Sequence, residues 1–141
     1  MRASSIVLRI VLLLAGVVMI ALGLNVGLGG IRTLGWQGTT NFLSVTDAAA
    51  FAAQDNHVRF LGGFWLGAGL LMAAGAFFLE RLRPTLTGIA AMVFVGGLAR
   101  LSAADPALVT SAAILPSLAA ELVLFPLLGV WIWHQAPSSF R

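Results

Sequence analysis

The sequence contains no cysteine, no tyrosine and no lysine, and only 9% of its 141 residues are charged. Without cysteine the chain cannot form a disulfide, bind a metal through thiolates or use a cysteine nucleophile. So little charge is not typical of a soluble domain, in which about a quarter of the residues are charged. With 60% hydrophobic residues, the composition instead indicates an integral membrane protein surrounded by a lipid bilayer.

The basic residues are eight arginines, and the net charge is only +3. A nucleic-acid-binding protein concentrates its basic residues on one face or along one helix. Here the arginines are spread along the chain and form no basic patch in the sequence. We therefore predict no nucleic-acid partner.

Four apolar runs are each long enough to cross a bilayer, which takes about 20 helical residues. We predict a single integral membrane domain over residues 1–141, with spans at about 6–28, 58–79, 85–102 and 114–133. The predicted fold class is all-α, a four transmembrane helix antiparallel bundle. Residues 44–54 start with a hydroxyl and an acid and continue with strong helix formers, so we predict a short extramembrane helix between spans one and two.

Charges and prolines are predicted to mark the ends of the spans. The charged residues and the proline of segment 80–84 are predicted to end span two in a tight reversal. Thr110 or Ser111 is predicted to cap span four, with Pro116 tolerated in its first turn. Pro126 lies within span four, so we expect it to bend that helix.

The arginines also predict the orientation of the chain. Five of them fall on one side of a four-span topology, and the positive-inside rule makes that side cytoplasmic. Both termini and the central turn are therefore predicted to be cytoplasmic. These arginines are Arg2, Arg9, Arg81, Arg83 and Arg141.

Glycines recur at helical spacings in the first three spans, which is typical of helices that pack closely in membranes. The stripe in span one is compatible with a helix of its own bundle, a second copy of the chain or another membrane protein. The predicted packing glycines are Gly16, Gly23, Gly27, Gly62, Gly63, Gly67, Gly96 and Gly97.

One acid, Glu121, lies within the last apolar run, roughly 10 Å from the outer end of span four. An acid at such a depth costs about 2 to 3 kcal/mol on insertion scales unless it is protonated or paired. Arg59 and Arg100 lie near the outer ends of their spans, so we predict one inward-facing cluster of these three groups. Asn56 and Ser102 are predicted to add polar groups to it. The alternatives are arginines that snorkel to lipid headgroups, and a glutamate that serves a ligand or a proton.

The order and spacing of these residues resemble the small four-helix membrane proteins grouped as domain-of-unknown-function family 4345. The resemblance covers nearly the whole chain and implies a bacterial integral membrane protein with no assigned activity. One departure is Asp105 before the proline, where such proteins often carry glycine. The matching residues are Asn56, Arg59, Gly62, Gly63, Gly67, Gly69, Gly96, Gly97, Arg100, Ser102, Pro106 and Glu121.

The sequence shows no catalytic motif, no metal-ligand set and no cofactor motif, so we predict a non-enzymatic protein. Together with the apolar composition, the family resemblance implies a location in the bacterial inner membrane. The leading hypothesis is a small scaffold or accessory protein with a structural Arg/Glu cluster. The alternative is a carrier or binding module for an anionic lipid headgroup or small solute. In that hypothesis Arg59 and Arg100 bind the anion and Glu121 titrates.

Overall fold

The computed structural model describes residues 3–33, 44–103 and 105–135, and these residues contain helices and turns but no strand. The helices are α1 (Ala3–Gly29), α2 (Ala48–Gly75), α3 (Leu79–Arg100), α4 (Pro106–Val109), α5 (Leu115–Ala119) and α6 (Phe125–His134). Short 3₁₀ turns follow α1 at Gly30–Arg32 and α3 at Leu101–Ala103, and a π-helical turn at Ala120–Leu124 joins α5 to α6.

Within the described residues, four segments are long and apolar enough to cross a membrane, so the protein is a multi-pass membrane protein. Span four comprises α5, the π turn and α6. The predicted all-α fold class with four transmembrane helices is confirmed. The four segments are Ser5–Arg32, Ala48–Gly75, Leu79–Arg100 and Leu115–His134.

The helix start predicted before span two is present, but it does not form a separate short helix. The Asp47 side chain caps α2 by accepting hydrogen bonds from the backbone N–H groups of Ala49 and Ala50, each at 3.0 Å. Residues 48–54 then continue into span two because no glycine or proline interrupts them. The resulting 28-residue helix is about 42 Å long, more than a hydrocarbon core of roughly 30 Å requires.

The turn between spans two and three lies earlier than predicted. Helix α2 ends at Gly75 and α3 begins at Leu79, so segment 80–84 forms the first turns of α3 rather than a reversal. Pro84 lies near the start of the helix, where it removes only one backbone hydrogen bond. Glu80 lies in the first turn, where a negative charge interacts favourably with the helix dipole.

Span four begins with Pro116 in its first turn, as predicted, but neither predicted hydroxyl caps it. Instead, the backbone carbonyl of Ser111 accepts hydrogen bonds from the N–H groups of Ile114 and Leu115 at 3.1 and 2.9 Å. Where we predict a bend at Pro126, the structure has the π turn immediately before it. Proline has no N–H to continue the α-helical pattern, and a π turn is one way in which a helix accommodates such an interruption.

The chain forms two compact units, which we call the N-unit (Ile10–Ala76) and the C-unit (Met1–Arg9 and Phe77–Arg141). In the N-unit, α1 and α2 run antiparallel and approach to backbone contact. A Cβ added to Gly16 would lie 2.5 Å from the backbone nitrogen of Ala73, and one added to Gly62 would overlap the backbone of Gly27. The glycine stripe of span one therefore packs on a helix of its own chain.

In the C-unit, α3 and span four also run antiparallel. A Cβ added to Gly97 would lie 2.8 Å from the Cβ of Glu121, and one added to Gly129 would lie 3.1 Å from the Cβ of Ala90. These two contacts lie about 10 Å apart along α3. Small residues thus allow α3 and span four to pack closely.

The consecutive glycine pairs of α2 and α3 each divide in the same way. Gly62 and Gly97 are buried and lie against a neighbouring helix, whereas Gly63 and Gly96 have no atom within 4 Å of an added Cβ. Gly67 is as open as Gly63. Successive helical residues point about 100° apart, so only one glycine of each pair can face the contact.

Candidate functional site

Glu121 is a charged residue buried within a candidate membrane span. It lies in the π turn of span four, six residues after Leu115 and therefore about 9 Å along the helix. Only 7% of the residue is exposed. A carboxylate at this position needs a counter-charge, hydrogen-bond donors or a proton.

Arg100, the last residue of α3, provides the counter-charge. Its Nη2 lies 3.2 Å from Glu121 Oε1, and its Nη1 donates a 2.9 Å hydrogen bond to the Ser117 hydroxyl. The hydroxyl donates in turn to the backbone carbonyl of Ile114 at 2.9 Å. The guanidinium therefore holds two side chains of span four that lie one helical turn apart.

Gly97 explains how the two helices come close enough for this pair. It lies three residues before Arg100, on nearly the same face of α3, and its Cα faces the Cβ of Glu121. Any side chain at position 97 would have to displace Glu121 or Leu122. The ion pair and the close glycine contact therefore involve the same residue of span four, Glu121.

The second carboxylate oxygen, Glu121 Oε2, is buried and has no hydrogen-bond partner among the described residues. Buried polar atoms in folded proteins nearly always have a partner, because leaving one unpaired costs about 1 to 3 kcal/mol. The Arg100 side chain, by contrast, is 44% exposed. The pair therefore joins an exposed cation to an acid with one unsatisfied buried oxygen.

Arg59 in the N-unit has a different carboxylate partner. Its Nε lies 2.7 Å from Asp55 Oδ2, and its Nη1 donates to the backbone carbonyl of Leu28. Asp55 Oδ1 accepts a 2.9 Å hydrogen bond from the backbone N–H of Ile31. The Arg59–Asp55 pair therefore fastens the end of the first span to α2.

The contacts of the Arg59–Asp55 pair with the end of the first span require glycine at position 30. Its backbone φ of +67° lies in the left-handed region, which residues other than glycine rarely adopt. A Cβ at this position would also overlap Asp55 Oδ1. Nearby, the guanidinium of Arg32 lies 5.4 Å from the centre of the Phe51 ring, a cation–π contact between the same two segments.

The structure brings Arg100 and Glu121 together and pairs Arg59 with Asp55. That Arg59 shares one cluster with the other two stays a prediction. Asn56 is exposed on α2. Ser102 is also exposed, and its hydroxyl donates a 2.7 Å hydrogen bond to the Ala99 carbonyl within its own helical turn.

Sequence reasoning missed two partners, although both have a sequence signal. Asp55 precedes Arg59 by four residues, and Ser117 precedes Glu121 by four. Residues four apart on a helix lie on one face, so an acid or a hydroxyl at this spacing is a candidate partner. Asp55 lies outside both the predicted helix at 44–54 and the predicted span two at 58–79, so the predicted boundaries do not place it on the same helix as Arg59.

In chemical terms, the Arg100–Glu121 pair offers a guanidinium for an oxyanion and a carboxylate oxygen that can accept a proton. Within residues 3–33, 44–103 and 105–135, no three His, Cys, Asp or Glu side chains are grouped as metal ligands would be. The groups of the Arg100–Glu121 pair are chemically capable of ion pairing, anion binding and proton exchange.

These features define a multi-pass membrane protein built from two antiparallel helix pairs, each with an arginine–carboxylate pair at one end of its helix contact. The family model described as domain of unknown function (DUF4345) matches residues 7–132. The chain belongs to this family, as the sequence motifs indicated. No curated protein and no solved structure matches the chain.

Proposed function

We propose that this protein is a small non-enzymatic scaffold or accessory protein of the bacterial inner membrane, and that its Arg100–Glu121 pair is structural. One observation carries the proposal: a single guanidinium binds both Ser117 and Glu121 across the contact between two spans. The partners proposed for such a scaffold are the lipid bilayer and either a second copy or another membrane protein.

The geometry of the Arg100–Glu121 pair supports a role in setting helix register. A slip of span four by one residue would move its side chains about 1.5 Å along the axis and about 100° around it. Arg100 would then lose both of its partners, and Glu121 would be buried without a cation. The pair thus favours one register of α3 against span four.

A double-mutant cycle tests this structural role. We expect Arg100→Gln and Glu121→Gln each to lower the unfolding free energy by about 1 to 3 kcal/mol, since each leaves the other group unpaired. The double variant should cost about 1 kcal/mol less than the sum of the two single changes. Unfolding in mild detergent, followed by circular dichroism, measures all four proteins.

Arg81→Gln is the matched control for this cycle. Arg81 is an exposed arginine in the first turn of the same helix α3. Its replacement should change the unfolding free energy by no more than about 0.5 kcal/mol. If the Arg100 and Glu121 changes are strictly additive, the pair does not hold the register and the structural proposal is wrong.

A second function, binding or carriage of an anionic lipid headgroup or small solute, is favoured by a separate observation. The Arg100 side chain is 44% exposed while Glu121 Oε2 is buried without a partner, a combination that a purely structural pair does not need. In this proposal Arg59, whose side chain is 41% exposed, and Arg100 bind the anion while Glu121 titrates.

The proposed orientation, with both termini cytoplasmic, can be tested with single cysteines because the chain has none of its own. In spheroplasts, a membrane-impermeant maleimide should label Ser44→Cys without permeabilisation. It should label Ser138→Cys only after the membrane is opened. Cysteine-free protein is the control, and the reverse labelling pattern would show that the topology is inverted.

A further inference from the structure

We propose that an oxyanion binding to Arg100 is coupled to the uptake of one proton by Glu121. The inference rests on the second function proposed above and adds a ligand class and a coupling mechanism to it. The ligand class is an oxyanion, either free in solution or carried on a lipid headgroup. The two sources present the same chemistry to a guanidinium.

The first step of the argument concerns the accessibility of Arg100. Its side chain is 44% exposed and lies at the end of α3, so an anion from the aqueous phase or the headgroup region can reach it. The guanidinium is engaged by only two groups of span four, Glu121 Oε1 and the Ser117 hydroxyl. An incoming oxyanion offers the same kind of acceptor as the carboxylate and therefore competes with it.

The second step concerns what remains when Arg100 moves to the anion. Glu121 then loses its ion-pair partner while 93% of the residue stays buried (7% exposed). Its Oε2 has no donor among the described residues that could compensate. A buried carboxylate without a counter-charge is far less stable than the neutral acid, so Glu121 binds a proton from water.

The remaining described charges of the C-unit do not replace Arg100. Arg9 Nη1 donates a 3.3 Å hydrogen bond to the backbone carbonyl of Phe77, just before α3 and at the opposite end of that helix from Gly97. Among the charged residues in the first turns of α3, Arg83 is nearest to Gly97, the residue that contacts Glu121. Arg83 lies about 21 Å along the helix from Gly97, and Glu80 and Arg81 lie farther away. Helix α5 has no charged residue, and His134 of α6 lies about 20 Å from Glu121 along span four. Asp105 is exposed and caps α4 through a 2.9 Å hydrogen bond from the Ala107 N–H.

The charges balance through the exchange. Before binding, the guanidinium and the carboxylate neutralise each other. After binding, the guanidinium neutralises one charge of the anion and the proton neutralises Glu121. When the anion leaves, Arg100 returns to Oε1 and the proton returns to water. By linkage, the same coupling makes anion binding stronger at low pH.

The experiment uses the full chain in phosphatidylcholine nanodiscs, with sulfate as the soluble oxyanion because sulfate does not itself titrate near neutral pH. A second arm replaces part of the lipid with phosphatidylglycerol, which distinguishes a headgroup from a free anion. We expect saturation by one of these anions to remove about one proton per protein from a weakly buffered solution. The apparent Kd should rise about tenfold per pH unit wherever Glu121 is deprotonated in the free protein and protonated in the complex.

Three variants complete the test. Glu121→Gln should retain anion binding but lose both the proton uptake and the pH dependence. Arg100→Gln should lose the binding. Arg81→Gln, the exposed arginine of the same helix, should behave like the wild-type protein.

The wild-type pH series decides the question even if a variant fails to fold. Binding that is independent of pH and takes up no proton would overturn the coupling but leave the second proposed function intact. Absence of binding by either anion would overturn both. The structural proposal is tested separately by the double-mutant cycle on unfolding.

Discussion

Gly62→Ala is expected to lower the unfolding free energy by about 3 kcal/mol or more, while Gly63→Ala leaves it unchanged or raises it slightly. The two substitutions add the same methyl group to neighbouring residues of the same helix. Any difference between them therefore reports the surroundings of the two positions.

The cost at Gly62 arises from contact with a backbone. Its added Cβ would overlap the backbone nitrogen of Gly27 on α1, an atom that cannot move without displacing the helix. The two helices would have to separate over much of the N-unit contact, which also includes Gly16 and Gly69. Close packing and interhelical contacts, rather than hydrophobic burial, drive helix association in lipid, so this loss is not recovered elsewhere.

Gly63 is the matched control because an added Cβ there meets no atom within 4 Å. Alanine is also the better helix former, by about 1 kcal/mol in a helix interior. Unfolding of both variants in the same detergent, followed by circular dichroism, measures the difference. Equal stabilities would show that α1 and α2 do not approach at Gly62 as described.

The second large effect is expected at Gly97, where valine should lower the unfolding free energy by about 2 to 4 kcal/mol. Its Cβ would lie 2.8 Å from the Cβ of Glu121 and 2.9 Å from Cδ2 of Leu122. The leucine side chain can rotate away, but the glutamate is also held by Arg100. We therefore expect Gly97→Val to weaken the ion pair as well as the packing.

This reasoning predicts a specific interaction between two substitutions. In the Gly97→Val protein, adding Glu121→Gln should cost less than it does in the wild-type protein, because the pair is already weakened. Gly96→Val is the control, since an added Cβ at position 96 meets no atom within 4 Å. Full additivity of Gly97→Val with Glu121→Gln would show that the glycine contact and the ion pair are independent.

Most of the fold class could be predicted from the sequence, but the helix ends could not. Segment 80–84 carries charges and a proline, and these signals mark either the end of one helix or the start of the next. The structure shows that they start α3. Likewise, the alanines after Asp47 start a helix, but local composition does not tell whether that helix stops before span two.

The candidate site could also be predicted only in part from the sequence. The cost of burying an acid predicts that Glu121 needs a cation, and Arg100 is one of the two arginines that the sequence offers for this role. The pairing of Arg59 with Asp55 was missed, although a spacing of four residues favours it. The carbonyl of Leu28 as a further partner could not be foreseen, because it depends on the packing of α1 against α2.

An all-α, four-span membrane protein of this family can be recognised from the amino-acid sequence, because span length, apolar composition and motif spacing are properties of the chain alone. The folded structure is needed to tell which glycine of the pairs in α2 and α3 meets a neighbouring helix, and which oxygen of Glu121 has no partner among the described residues. Both depend on how each helix is rotated about its axis, and a rotation of about 100° per residue separates adjacent positions that are identical in sequence.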